Sequence, residues 1–161
     1  MSSVVIPNSV EEALNVSEWK EVILEEIKAL EKNATWEKVD MPKRKSIVGS
    51  KWIFTLKYNS DGSLEGYKSR VVAKGYTQTY GVDYSETFSP VAKLNTVRVL
   101  LLVAANLDWL LNQLDVKNAF LNGDLEKEVY MEPPLRFTEK FGNKICKLKR
   151  SLYGLKQSPK A

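Results

Sequence analysis

Histidine is absent from all 161 residues. That removes serine–histidine and cysteine–histidine nucleophile pairs, and every histidine-ligated zinc site. The single cysteine, Cys146, excludes an internal disulfide and fits a reducing compartment. No apolar run approaches the roughly 20 residues of a membrane-spanning helix, so no membrane partner is expected. Met1 to Pro7 carries no basic residue and does not read as a signal peptide. Internal repeats, low-complexity tracts and flexible linkers are also missing. Carboxylates with a hard metal such as magnesium are left as the natural chemistry, because magnesium takes oxygen ligands.

What is present suits a soluble globular domain, with 43% hydrophobic and 27% charged residues. The net charge of +4 is unevenly spread. Residues 1–40 carry 4 basic and 9 acidic side chains, a net −5, and residues 41–75 carry 8 and 2, a net +6. Residues 76–135 then hold 4 and 8, a net −4, and residues 136–161 hold 8 and 1, a net +7. Two basic blocks flank an acidic one. Solvated lysines would give this pattern, and so would a polyanion path beside a metal-binding carboxylate.

Ser9 and Glu12 have capping-box spacing, and Ser17 offers a second N-cap. Trp19, Val22, Ile23, Ile27 and Leu30 recur at helical spacing, which predicts a helix over 17–32 with Asn33 as its stop. From Ile47 the period becomes two. Trp52, Phe54, Leu56 and Tyr58 alternate with Lys51, Ile53, Thr55 and Lys57, and residues 59–63 are turn chemistry. The return strand, Leu64 to Lys74, puts Lys68, Arg70, Val72 and Lys74 on one face, making a basic β-hairpin. Gly75 to Ala92 reads as a loop. Asn95 is expected to cap a helix through Val97 to Ala105 that is apolar on nearly every side, so it belongs inside a larger body. Leu110 to Val116 reads as a strand with Asp115 at its end; short strands are expected at 129–131 and 145–148.

Six strings carry a resemblance. They are Asn33-Ala-Thr-Trp-Glu37, Lys51-Trp-Ile-Phe54 and Tyr67-Lys-Ser-Arg-Val-Val-Ala-Lys-Gly-Tyr-Thr-Gln78, followed by Asp83-Tyr-Ser-Glu-Thr-Phe-Ser-Pro-Val-Ala92, Gln113-Leu-Asp-Val-Lys-Asn-Ala-Phe-Leu121 and Leu152-Tyr-Gly-Leu-Lys-Gln-Ser-Pro159. In this order and spacing, from about Glu11 to Ala161, the chain resembles copia-type retrotransposon reverse transcriptases. The resemblance implies an α+β fold: a fingers β-hairpin with helices, then an incomplete palm of a right-hand polymerase. Fingers would span about 9–92, and the first part of the palm with the return toward the fingers about 93–161.

The same resemblance implies roles for individual residues. Asp115 would be the first catalytic aspartate, ligating two magnesium ions about 3.5–4 Å apart with help from the Val116 carbonyl. Read alone, Asp115 is a strand-end aspartate capping a turn. Phe120 would stand against the sugar of the incoming nucleotide and exclude a 2′-hydroxyl, with Asn118 lining the same pocket; core packing is its other reading. Lys68 or Arg70 would hold the triphosphate. Tyr153 would complete the nucleotide site. Lys74, Gly154, Gln157 and Ser158 would approach the nucleic acid, although Lys74 also reads as a solvated strand face and Gln157 and Ser158 as turn formers.

The implied partners are an RNA or DNA template-primer and deoxynucleotides, and the implied cofactor is Mg2+. The family's Tyr-x-Asp-Asp segment has no counterpart here, since no two aspartates are adjacent. The chain alone is therefore expected to be inactive and at best marginally folded. The alternative is a catalytically dead, repurposed nucleic-acid-binding module. The family assembles in cytoplasmic particles and delivers DNA to the nucleus, but no address signal stands in this chain.

Overall fold

The computed structural model describes residues 4–43, 45–85, 87, 93–112 and 124–158. They form a mixed α+β fold with two sheets and few helices. The chain opens with α1 (Val10–Leu14) and α2 (Ser17–Lys32), then β1 (Trp36–Val39), β2 (Ile47–Val48), β3 (Ser50–Tyr58) and β4 (Leu64–Ala73). A helix, α3 (Leu94–Asn106), and two further strands, β5 (Asp124–Met131) and β6 (Ile145–Arg150), follow. One sheet has the order β1-β6-β5-β2, antiparallel except where β2 runs parallel to β5. The other is the β3-β4 hairpin.

The start of α1 is capped as the capping-box spacing predicts, with Ser9 Oγ accepting from Glu12 N at 3.2 Å. The return reach differs: Glu12 Oε2 accepts from Asn8 N at 2.8 Å, one residue earlier than in a standard box. Ser17 is not a cap. Val16 holds that position with extended backbone, and Ser17 Oγ, already inside α2, donates to Glu18 Oε2 at 2.7 Å. Helix α2 spans 17–32 and ends at Asn33, as expected.

Trp19, Ile23, Ile27 and Leu30 are buried along one stripe of α2. Trp19 meets Phe54 and Tyr67 edge-on, with centroids 5.5 and 4.8 Å away. A lone hairpin is marginal in water, so this helix cover is what makes the β3-β4 ribbon a stable surface. The core continues through Val71, Met131, Cys146 and Leu148 into the four-stranded sheet, so both sheets share one interior.

Three expectations are corrected. Lys93 is the N-cap residue of α3 and Asn95 lies within its first turn, with no side-chain cap. Leu110, Leu111 and Asn112 are not in a strand, and the rest of that expected strand, 113–116, lies outside the described residues. The strand expected at 129–131 begins earlier, at Asp124. Helix α3 presents its apolar side chains to solvent: Val99, Leu100, Leu101 and Leu102 are exposed, and Ala104 is its buried residue. No helix among the described residues is long and apolar enough to cross a membrane.

Candidate nucleotide and nucleic-acid interface

The pleat of β4 sorts its side chains onto two faces. Ser69, Val71 and Ala73 are buried, whereas Lys68, Arg70 and Val72 lie on the opposite face. There they line a groove of about 430 Å³ together with Ile53 and Thr55 of β3 and with Tyr153 and Gly154. The groove joins an aliphatic lining to two cationic heads, a combination suited to a ligand with an anionic end. Lys74 does not share it. The pleat stops at Ala73, where the chain enters a 3₁₀ turn over Gly75–Thr77. Lys74 N donates to Gly49 O at 2.8 Å, and its aliphatic stem packs over Gly49.

The segment after β6 reaches the groove because Leu152 and Leu155 are buried beneath it. Tyr153 O accepts from Ala73 N at 2.8 Å, tying the segment to the end of β4. The Arg70 guanidinium lies over the Tyr153 ring, 4.2 Å from its centroid. Gly154 has φ +90, and a Cβ there would fall 2.2 Å from Ala73 O. A Cβ at Gly75 would fall 2.1 Å from Gly154 O. Two glycines thus allow two backbones to touch.

Polar side chains hold this segment in place. Gln78 Nε2 donates to Gln157 Oε1 at 3.1 Å, while Gln78 Oε1 accepts from Lys156 N at 2.9 Å. Ser158, 3% exposed, donates to Leu152 O, and its hydroxyl accepts from Ser151 Oγ at 2.8 Å. Of the expected site residues, Lys68, Arg70, Tyr153 and Gly154 therefore meet in one groove. Gln157 and Ser158 sit behind it with hydrogen bonds inside the protein. Asp115, Val116, Asn118 and Phe120 lie outside the described residues.

Two residues of this region escape the sequence reading. Gln78 stands inside a matching string but has no local signal for its contact with Gln157. Glu26 had a signal: it falls on the α2 stripe, three residues after Ile23 and four before Leu30. Its Oε1 accepts from Val71 N at 3.2 Å. Burial pushes its carboxyl above the ordinary value of 4.5, against the Val71 hydrogen bond and the attraction of Arg70 and Lys68.

The reverse transcriptase (RNA-dependent DNA polymerase) family matches residues 33–161. The chain belongs to the reverse transcriptase family. It is 50% identical over 157 residues to the retrovirus-related Pol polyprotein from transposon RE1 of Arabidopsis thaliana, covering 96% of this chain and 11% of that one. The corresponding polyprotein from transposon TNT 1-94 of Nicotiana tabacum is 47% identical over 159 residues, covering 96% and 12%. An uncharacterized mitochondrial protein of Arabidopsis thaliana is 43% identical over 102 residues, 63% of this chain and 60% of that one. The chain spans about a ninth of the length of the retrotransposon polyproteins RE1 and TNT 1-94. No solved structure matches.

Among the described residues no group of three or more cysteine or acidic side chains could hold a metal ion. The carboxylate and backbone carbonyl that the resemblance assigns at Asp115 and Val116 would offer oxygen donors alone, which would fit magnesium by ligand type.

Proposed function

We propose that the chain is the fingers, about 9–92, and the first part of the palm, about 93–161, of a copia-type retrotransposon reverse transcriptase. The observation that carries this reading is the groove on the β3-β4 ribbon, where Lys68 and Arg70 stand beside Tyr153 and Gly154. A guanidinium and an ammonium on one rigid strand face suit a triphosphate, which takes fork-shaped and point-charge donors together. The aliphatic lining keeps those cations from being fully hydrated and strengthens their pull on an anion.

In this reading Arg70 and Lys68 bind and orient the triphosphate of an incoming deoxynucleotide. Phe120, with Asn118, bounds the sugar and disfavours a 2′-hydroxyl. Asp115 and the Val116 carbonyl hold magnesium, which when bound lowers the barrier to nucleotidyl transfer by neutralising charge. Lys74 and the backbone at Gly154 lie on the nucleic-acid path. Gln157 and Ser158 act on it indirectly, by shaping the turn that carries Gly154. The template-primer is RNA or DNA.

Grafting this chain over the matched 157 residues of the RE1 polyprotein gives the test. Primer extension on an RNA template with magnesium should proceed in the chimera, and Asp115→Asn should abolish it by removing a metal-ligating charge while keeping side-chain shape. Extension by the Asp115→Asn chimera at near parental rate would overturn the assignment. Nucleic-acid binding without synthesis by the parental chimera would leave the basic groove as a binding module only.

A further inference from the structure

The outer edge of β4 is closed by groups from outside its sheet. Val71 is fully buried, at 0% exposure, and an amide left unpaired there would lose its water without gaining a partner. Its N–H donates to Glu26 Oε1 at 3.2 Å, across from α2. One register step on, Ala73 N donates to Tyr153 O at 2.8 Å, and one step back, Ser69 Oγ donates to Val22 O at 2.9 Å. These three anchored residues alternate with Lys68, Arg70 and Val72, which line the groove. Holding the edge amides and the buried side of a pleated strand fixes its backbone, and with it the direction of the side chains on the open face.

We propose that Glu26 is a positioning residue for the groove: its carboxylate oxygen holds the Val71 amide and so aims Lys68 and Arg70 at a bound triphosphate. The inference rests on the groove being a triphosphate site. The role belongs to the oxygen and its reach, because a negative charge behind two cations opposes anion binding. Only the hydrogen bond can favour it.

Glu26→Gln keeps the reach and an acceptor oxygen but removes the charge, whereas Glu26→Asp keeps the charge and draws the oxygen back by one methylene. Calorimetric titration of the full chain with inorganic tripolyphosphate separates them. Saturable binding is expected in wild type, with a loss of at least tenfold in Arg70→Ala. Glu26→Gln should bind at least as tightly as wild type, and Glu26→Asp at least fivefold more weakly. Hydrogen exchange at the Val71 amide should quicken in the Asp variant but not in the Gln variant. Were the Asp variant unfolded, Glu26→Met, which keeps the length and removes the acceptor oxygen, would take its place and should also weaken binding at least fivefold. Wild-type affinity in Glu26→Asp, or in Glu26→Met where that is the variant measured, would overturn the positioning role, as would an equal loss in Glu26→Gln. No binding by wild type, or no effect of Arg70→Ala, would instead remove the triphosphate reading and the positioning role with it.

Discussion

Arg70 places its guanidinium carbon 4.2 Å from the Tyr153 ring centroid, while the carbonyl of the same tyrosine accepts from Ala73 N at the end of Arg70's own strand. The ring holds the head of the cation, and the carbonyl ties the tyrosine to the strand that carries it. A cation–π contact at such a site contributes about 0.5–2 kcal/mol and also preorganises the donor fork.

Tyr153→Phe should therefore leave tripolyphosphate binding within about twofold, because the ring face is kept. Tyr153→Leu should weaken it about two- to thirtyfold, the equivalent of the cation–π contribution. Titration calorimetry of the two variants checks this. Equal affinities in Phe and Leu would mean that the ring does nothing for Arg70.

Much of the fold was legible because its signals are local. Trp19, Ile23, Ile27 and Leu30 mark α2 at a period of 3.6, and the alternation from Lys51 to Tyr58 marks β3. The basic face at Lys68 and Arg70 followed from the same alternation. What was not legible depends on partners distant in sequence. Strand β1 carries little periodicity in four residues and exists by pairing with β6, Trp36 opposite Leu148. Lys74 left the basic face because the pleat ends one residue earlier. Ser17 and Asn95 are good capping residues by type, yet the backbone turns extended at Val16 and Lys93 instead. Cap identity is fixed by where the chain enters, not by which side chain is available.

The contact between Gly154 and the end of β4 leaves no room for a side chain. Gly154→Ala would bring a Cβ within 2.2 Å of Ala73 O and place alanine at φ +90. Both terms act in the same direction, so a stability loss of about 2–4 kcal/mol is expected, measured by urea unfolding. Gly66, whose Cβ would meet nothing within 4 Å, is the comparison; Gly66→Ala should change stability by less than about 1 kcal/mol.

Cys146 is fully buried in the shared core, and burial pushes its thiol up to about 12. The thiolate is the reactive form, so native protein at neutral pH should resist a disulfide reagent. Labelling should occur only as fast as the core opens and become immediate in denaturant. Rapid stoichiometric labelling of native protein would show that β6 does not sit as described.

The apolar side chains of α3 stand in water, Leu102 being 64% exposed. An exposed row of leucine and valine favours association. Leu102→Glu should lower the apparent mass in concentration-dependent sedimentation and alter stability by only about 0.5 kcal/mol, because little packing is lost. Trp19→Ala, at the core, should cost about 3–5 kcal/mol by the same unfolding assay. A large stability loss from Leu102→Glu would mean that the helix is covered in solution.

Glu26 gives the fold an unusual pH dependence. Its folded pKa is raised above the ordinary 4.5, chiefly by burial, so the folded state binds the proton more tightly than the unfolded state. Between the ordinary value and the raised one, stability therefore falls as pH increases, since ∂ΔG/∂pH follows protons bound unfolded minus protons bound folded. Half-buried Glu37 and exposed Glu128 act in the opposite sense, because bonds to Lys149 and Lys147 hold their pKa values down. Comparison of wild type with Glu26→Gln cancels those shared contributions. The Gln variant should gain stability relative to wild type as pH rises above the ordinary carboxylate value of 4.5, because the wild-type carboxylate must then give up its proton inside the protein. Urea unfolding at several pH values reads the difference directly. A gap between the two proteins that stays flat with pH would place Glu26 in water rather than against Val71.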